Sequence, residues 1–255
     1  MIANYHSHTI RCNHAIGTGQ EYVENAIGRG LKIFGFSDHA PQYFPSGYCT
    51  FMRMHTYELP EYCMDVRRLQ KEYRDRIRIH LGLEAEYYPA HWAELLLRAR
   101  DTGVEYMILG QHWLGNEIGE PGSTAPTTDE NTLRRYCHQV CDAMETGKFT
   151  YIAHPDLLNY VGERNIYRHH VHDLCRAAKE SGTPLEMNLL GIASGRHYPN
   201  EVFWEVAAEE GCSVILGMDA HAPRHILNTA PEETAHEIVR RFDLRLLDTV
   251  QLRPL

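Results

Sequence analysis

The sequence lacks both the cysteine pattern of a secreted protein and the glycine-rich loops of a nucleotide-binding fold. Its seven cysteines are scattered and form no C-x-x-C pair, which favours free thiols in a reducing compartment over a disulfide framework. Neither G-x-G-x-x-G nor a Walker sequence occurs, which weakens an open nucleotide-binding sheet. Internal repeats and low-complexity linkers are missing too, so the 255 residues are expected to form one domain, 1–255.

Positive charge and long apolar runs are also scarce. The 25 lysines and arginines face 34 aspartates and glutamates, and the net charge of -9 argues against nucleic acid as a partner. No apolar run has transmembrane length, and the first residues enter a predicted strand without a signal peptide. We therefore expect a cytoplasmic protein without membrane contacts. A small phosphorylated substrate stays compatible with this charge, because bound cations reverse the local field.

Histidine, in contrast, is abundant, and much of it follows short apolar runs. The chain has 17 histidines. Apolar runs of this kind predict buried strands, and six of them lead directly into residue types that bind metals. Mixed imidazole and carboxylate ligation suits zinc, manganese or iron. The candidate ligands at these junctions are His6, His8, His14, Asp38, His39, Glu84, Glu86, His112, His154, Asp219 and His221.

The order of the predicted elements indicates how these junctions meet. Seven strand–helix units follow one another without a block of strands alone, which predicts parallel strands joined by helical crossovers. An open sheet would bring only a few strand ends to a ligand. A closed barrel brings all the C-terminal strand ends together. The sequence therefore predicts an α/β barrel of seven parallel strands with a metal site at its C-terminal mouth.

The residues alone leave two ligand assignments open, the choice between Glu84 and Glu86 and the choice between Asp38 and His39. In His6-Ser-His8 and in Asp219-Ala-His221, both outer side chains share one face because strand side chains alternate with period two. By the same alternation Glu84-Ala-Glu86 offers two rival carboxylates. The pair Asp38-His39 does not indicate which of its residues would bind a metal ion.

As an ordered set, these motifs resemble the polymerase and histidinol phosphatase superfamily, called PHP, and within it the histidinol-phosphate phosphatases. They extend over almost the whole chain. The resemblance implies a distorted (β/α)7 TIM-like barrel that holds three divalent metal ions. The matching motifs are His6-Ser-His8, His14-Ala, Phe36-Ser-Asp-His39-Ala-Pro, Gly82-Leu-Glu84, Gly110-Gln-His112-Trp, His154-Pro-Asp and Asp219-Ala-His221.

The resemblance also implies a ligand set for each metal ion. It selects His39 over Asp38 and Glu84 over Glu86, and it makes Asp38 and Asp156 groups that orient ligand histidines. The implied sets are His6, His8, Glu84 and Asp219 for the first ion, Glu84, His112 and His154 for the second, and His14, His39 and His221 for the third.

These sets imply a mechanism in which Glu84 bridges two ions. A metal-bridging hydroxide would attack phosphorus in line while the third ion holds phosphate oxygens. Asp219 or His221 would assist protonation of the leaving alcohol.

Substrate contacts are expected from the loops. Arg196 matches a phosphate-binding arginine of the histidinol phosphatases, and Glu117 would receive the cationic imidazole or amine of histidinol phosphate. Arg53, in an aromatic loop, is a further candidate for phosphate. The chain departs from the family pattern after its His-Pro-Asp motif, where Leu157-Leu158-Asn159-Tyr160 supplies no arginine. Arg164 would replace that arginine if the loop were shifted.

Three functions follow from these expectations. The leading one is a metal-dependent phosphatase that converts L-histidinol phosphate and water to L-histidinol and phosphate. The first alternative is a PHP phosphatase or phosphodiesterase for another small phosphoester, such as a sugar or nucleotide phosphate. The second is a non-catalytic metal-binding PHP module, which would show decayed ligands, whereas all nine expected ligands are present.

Overall fold

The computed structural model describes residues 1–255, and its centre is one sheet of eight parallel strands. The strands pair in the order in which they follow in the chain, as helical crossovers require. The register shifts between Met107 and Leu109, and a single residue pair joins Ile152 to Leu185. The strands are β1 (Ala3–Asn4), β2 (Ile33–His39), β3 (Arg78–Ala85), β4 (Tyr106–Leu109), β5 (Phe149–Ile152), β6 (Leu185–Asn188), β7 (Ser213–Gly217) and β8 (Arg245–Leu246).

Helices connect the strands, and their ends follow the sequence signals. Before the first helix the hydroxyl of Thr18 accepts from Glu21 N, and the Glu21 carboxylate accepts from Thr18 N at 2.7 Å, so the two residues form a capping box. None of the helices is both long and apolar enough to span a membrane. The helices are α1 (Gly19–Arg29), α2 (Leu59–Tyr73), α3 (Trp92–Asp101), α4 (Glu130–Glu145), α5 (Arg164–Ser181), α6 (Leu189–Ala193), α7 (Glu201–Glu209), α8 (Pro223–Leu227) and α9 (Ala230–Arg241).

The sheet is curled, so that the segments following β1 and β7 contact each other. A parallel bridge joins Ser7 to Ala220, and His8 N donates to Ala220 O at 2.9 Å. The prediction of a parallel α/β barrel is thus confirmed, but the sheet has eight strands instead of seven. The additional strand, Arg245–Leu246, pairs with Ser213 and Val214 at the opposite end of β7. A strand of two residues is too short to give a periodic signal.

A compact apolar layer lies inside the barrel and supports its mouth. The hydroxyl of Tyr106 donates to Tyr5 O at 2.7 Å. Gly35 and Gly82 leave room for this ring, since a Cβ at either position would lie 2.2 Å from a Tyr106 side-chain atom. The layer consists of Ala3, Tyr5, Tyr106, Ile108, Tyr151, Ala153 and Ile215. It fixes the strands from which the polar side chains of the mouth project.

Candidate metal centre

Glu84, at the end of β3, is the centre of a cluster formed by the predicted ligands. Its Oε2 lies close to three imidazole nitrogens: 3.0 Å from His39 Nδ1, 3.4 Å from His8 Nε2 and 3.5 Å from His6 Nε2. Its Oε1 lies 2.8 Å from His154 Nε2 and 3.6 Å from His112 Nε2. One carboxylate thus contacts side chains from four other strand ends.

Asp219 forms a second contact point beside Glu84. Its Oδ1 lies 3.2 Å from His8 Nε2 and 3.4 Å from His6 Nε2. The residue follows β7 with a φ of 48°, in the left-handed region that aspartate tolerates better than most residues. This turn aims the carboxylate into the cluster.

His14 and His221 lie at the outer side of the cluster. Their Nε2 atoms are 2.9 Å apart, and backbone carbonyls hold both Nδ1 atoms, Cys12 O at 2.6 Å and Asp219 O at 2.9 Å. His14, His39 and His221 have ligand atoms within 4.8 Å of one another. The same distance holds for His6, His8 and Asp219, and for His6, Glu84 and His154.

The buried nitrogen and oxygen atoms of this cluster fit divalent metal ions. Several of them have no hydrogen-bond partner: His6 Nε2, both ring nitrogens of His8, His39 Nδ1, Glu84 Oε2 and His154 Nδ1. An unsatisfied buried polar group costs about 1–3 kcal/mol, and so many in one place would be costly. Imidazole nitrogens and carboxylate oxygens are ligands that zinc and similar ions accept. The donor set therefore fits metal ions.

The electrostatics of the cluster also indicate that it can bind cations. Burial raises the pKa of Glu84, but His39 and His6 lower it further, so the pKa lies well below its usual range. Burial opposes charge on His8, yet Asp219, Asp38 and Glu84 raise its pKa to about 9. Protons on such imidazoles thus balance the charge of the carboxylates. Because metal ions need deprotonated ligands, binding would release these protons.

A cavity of about 670 Å³ opens above the cluster. Seven of the nine predicted ligands line it, with His6 and His8 buried beneath. The remaining wall has a polar part, which includes Thr124, Arg196, Tyr198 and His225. Its apolar part consists of Phe51, Met52, Trp113, Leu157 and Leu190. The cavity is large enough for a small organic molecule to reach the cluster.

Comparison with known proteins assigns the family. Residues 4–189 match the family model of the PHP domain. The chain belongs to the PHP family. It is 31% identical over 236 residues to a probable histidinol-phosphatase of Deinococcus radiodurans, covering 88% of either chain. It is 24% identical over 249 residues to a histidinol-phosphatase of Bacillus subtilis, covering 85% of this chain and 92% of the relative.

A solved structure shares the fold of this PHP domain. It is the histidinol phosphate phosphatase of Lactococcus lactis, complexed with zinc, L-histidinol and phosphate. The two structures superpose with a TM-score of 0.76 at 21% identity, covering 98% of this chain and 96% of the other. This similarity confirms the distorted TIM-like barrel.

Two carboxylates of the PHP domain hold the outer nitrogens of two predicted ligand histidines. Glu186 Oε2 lies 2.8 Å from His6 Nδ1, and Glu86 Oε1 lies 3.0 Å from His112 Nδ1. When Nδ1 donates, the Nε2 lone pair of each ring is directed towards the cluster. The sequence reasoning missed Glu186. The available signal was a charged residue inside the buried run Leu185–Asn188.

The two aspartates predicted to orient histidines differ in their contacts. Asp38 accepts a hydrogen bond from Thr9 N at 3.0 Å and lies 3.7 Å from His8 Nδ1. Asp156 accepts from Asn200 N at 2.6 Å and from Trp204 Nε1 at 3.1 Å. Asp156 thus stabilises the beginning of α7, and it makes no hydrogen bond to a predicted ligand histidine, since His154 Nδ1 has no hydrogen-bond partner.

Of the four predicted substrate contacts, the cavity wall contains Arg196 alone. The Arg196 guanidinium donates to the hydroxyl of Tyr198 and lies 5.7 Å from the centre of its ring. His225, which the sequence reasoning missed, also lines the cavity. Its Nδ1 accepts from His221 N at 3.3 Å, so the proton of the neutral ring is on Nε2.

The other three predicted contacts lie elsewhere. Arg53 and Glu117 are buried and form an ion pair, with Arg53 Nη1 2.5 Å from Glu117 Oε2, and neither lines the cavity. Arg164 is on α5, where it pairs with Glu205 and has a side chain that is 61% exposed. The loop before it is held by backbone hydrogen bonds, with Asn159 N donating to Ser123 O at 2.8 Å and Asn159 O accepting from Thr127 N at 2.9 Å. The structure therefore places none of these three predicted substrate contacts in the cavity wall.

Proposed function

We propose that this PHP domain is a metal-dependent phosphatase that hydrolyses L-histidinol phosphate to L-histidinol and phosphate. The observation that carries the proposal is the cluster around Glu84 on the floor of a cavity whose wall contains Arg196. The names of the relatives from Deinococcus radiodurans and Bacillus subtilis support the choice of substrate. The predictions of one domain and of a cytoplasmic location stay predictions.

We infer three divalent ions, zinc, manganese or iron. Their ligands would be His6, His8, Glu84 and Asp219 for the first, Glu84, His112 and His154 for the second, and His14, His39 and His221 for the third. Bound there, the ions neutralise the charge of a phosphate monoester and lower the pKa of water. The close approach of Glu84 to rings of two of these sets, His6 at 3.5 Å and His154 at 2.8 Å, supports its bridging role.

The chain's own contribution to phosphate binding comes from the cavity wall. The planar guanidinium of Arg196 can donate two hydrogen bonds to phosphate oxygens, and Tyr198 holds it in place. The Nε2–H of His225, which also lines the cavity, is a second donor there. Asp219 and His221 line the same cavity, where they could assist protonation of the leaving alcohol.

The apolar part of the wall would receive the leaving group. Trp113 and Phe51 offer aromatic faces to the imidazole ring of histidinol phosphate, and Leu157 and Leu190 exclude water around it. The absence of an arginine near Asn159 also favours a second candidate, a PHP phosphatase for another small phosphoester. A turnover comparison separates the two.

The test is hydrolysis of L-histidinol phosphate, sugar phosphates, nucleotide monophosphates and a phosphodiester by protein loaded with zinc or manganese. We expect kcat/KM to be highest for histidinol phosphate by at least tenfold. Similar low rates for all substrates would refute this specificity, and no hydrolysis by the fully loaded protein would favour the non-catalytic alternative.

Two arginine variants test the phosphate contact. Arg196→Met should lower kcat/KM about 10- to 100-fold, because a hydrogen bond to a charged group contributes about 1.5–3 kcal/mol. Arg164→Met is the matched control and should leave kcat/KM unchanged, since its side chain is exposed and paired with Glu205. Equal effects of the two variants would contradict the assignment.

A further inference from the structure

Arg53 is the least expected buried residue near the metal centre. It lies in the loop between β2 and α2, yet it is 1% exposed. Its guanidinium contacts two buried carboxylates from different loops, with Nη1 2.5 Å from Glu117 Oε2 and Nη2 3.0 Å from Glu86 Oε1. A charged group is rarely buried so completely unless its partners are fixed. The catalytic proposal gives this group no role.

The contact with Glu86 connects Arg53 to a metal ligand. Glu86 Oε1 is shared between Arg53 Nη2 and His112 Nδ1, each at 3.0 Å. Because the carboxylate is fixed by the guanidinium, it presents one oxygen to the imidazole in a defined direction. That oxygen keeps the Nδ1 proton in place and leaves the Nε2 lone pair of His112 directed towards Glu84.

The remaining contacts connect Arg53 to the cavity wall. Its backbone oxygen accepts from Asn13 Nδ2 at 3.2 Å, next to the predicted ligand His14. Its guanidinium lies 5.8 Å from the centre of the Trp113 ring, and the preceding residue Met52 lines the cavity. Glu117 is held in turn by the hydroxyl of Tyr88 at 2.8 Å. One side chain thus joins the loop, the wall and a ligand.

We propose that Arg53 is a positioning residue that couples docking of the 40–58 loop to metal binding by His112. Its two-armed guanidinium fixes Glu86 for His112 and, through Glu117, keeps the loop against the mouth of the barrel. Such coupling is reciprocal, so metal binding must also stabilise the docked loop. The inference rests on the metal centre of the proposed function, but not on the identity of its substrate.

The test measures metal affinity and loop protection without any substrate. Arg53→Met should bind zinc at one site about 10- to 100-fold more weakly than the wild type in a titration of chelator-stripped protein. In the wild type, zinc should slow chymotrypsin cleavage in the loop, where Tyr48, Phe51 and Tyr57 are exposed. We expect about fivefold or greater slowing, and none in Arg53→Met.

Three further variants provide a control and distinguish the contact of Arg53 with Glu86 from its contact with Glu117. Arg68→Met is the matched control, since Arg68 on α2 is 64% exposed and should change neither quantity. Glu117→Gln weakens only the contact that holds the loop. Cleavage of the loop should therefore accelerate, while zinc affinity stays within about threefold of the wild type. Arg53→Lys keeps the charge but lacks the fork, and it should give intermediate values of both.

The outcomes decide the proposal in either direction. If Arg53→Met unfolds, Arg53→Lys provides the decision. Unchanged zinc affinity and unchanged zinc protection in a folded Arg53 variant would overturn the coupling, as would equal effects of Arg68→Met. A loss of zinc affinity without loss of histidinol phosphate specificity would leave the substrate assignment intact, so the two proposals fail separately.

Discussion

Gly110→Ala is expected to displace the central carboxylate of the metal centre without removing any ligand. A Cβ at Gly110 would lie 2.0 Å from Glu84 Oε1 and 2.6 Å from its Cδ, where contacts below 3.0 Å force a shift. The carboxylate must therefore move by about 1 Å. It has little room to do so, because His39 and His154 contact its oxygens at 3.0 Å and 2.8 Å.

A shift of this size exceeds what a metal site tolerates. Ligand distances vary by only about 0.2 Å in well-formed sites, and a misplacement of about 1 Å in a catalytic group costs about 100-fold in rate. Overpacking in a tight interior costs about 1–3 kcal/mol of unfolding free energy. We therefore expect Gly110→Ala to lose at least one metal ion per chain and about 100-fold in kcat/KM, with a melting temperature lower by several degrees.

The assay counts metal ions per chain by elemental analysis and measures kcat/KM and thermal unfolding with and without a chelator. Gly82→Ala is the control for overpacking, because its Cβ would lie 2.2 Å from the ring of Tyr106, which is not a predicted ligand. It should lose stability but retain its metal ions. A folded Gly110→Ala with all its metal ions and activity within about twofold of the wild type would refute the reasoning.

Two further changes test the centre. Glu186→Gln should weaken metal affinity about 10- to 100-fold, because His6 Nδ1 loses the carboxylate at 2.8 Å, and an unchanged zinc titration would contradict this. In chelator, the melting temperature should fall between pH 7 and 9. His8 has a folded pKa raised to about 9, so its stabilising contribution, full below the unfolded pKa of about 6.5, disappears as the pH rises. A constant or rising melting temperature over that range would contradict this linkage.

The candidate metal centre was predictable because most of the predicted ligands lie at or just after the end of an apolar run. In a parallel barrel all C-terminal strand ends meet at one mouth, so a residue such as His154 or Asp219 needs no further information to be placed there. The same logic does not extend into the strands. Glu186 is part of β6, and only the paired register of the sheet brings it to His6.

The positions of the charged loop residues could not be predicted from the sequence, and the physical reason is a different one. Charged side chains in loops can turn towards solvent, towards a ligand or towards each other, and the sequence does not determine which. Arg53 and Glu117 are 64 residues apart and form an ion pair in the interior. Arg164 is in the first turn of α5 and pairs with Glu205 across the α5–α7 contact. An interpretation based on charge alone could not distinguish either pair from phosphate or amine contacts.

Metal binding and closure of the barrel involve the same short segments. The bridge between Ser7 and Ala220 is flanked on one side by His6 and His8 and on the other by Asp219 and His221. A cation held jointly by His6, His8 and Asp219 would therefore connect the first and seventh strands where the backbone provides a single bridge. Coordination would then close this connection in place of a long ladder of hydrogen bonds. The bound ions would consequently maintain the shape of the mouth in addition to activating water, which explains why so many ligands are concentrated at strand ends.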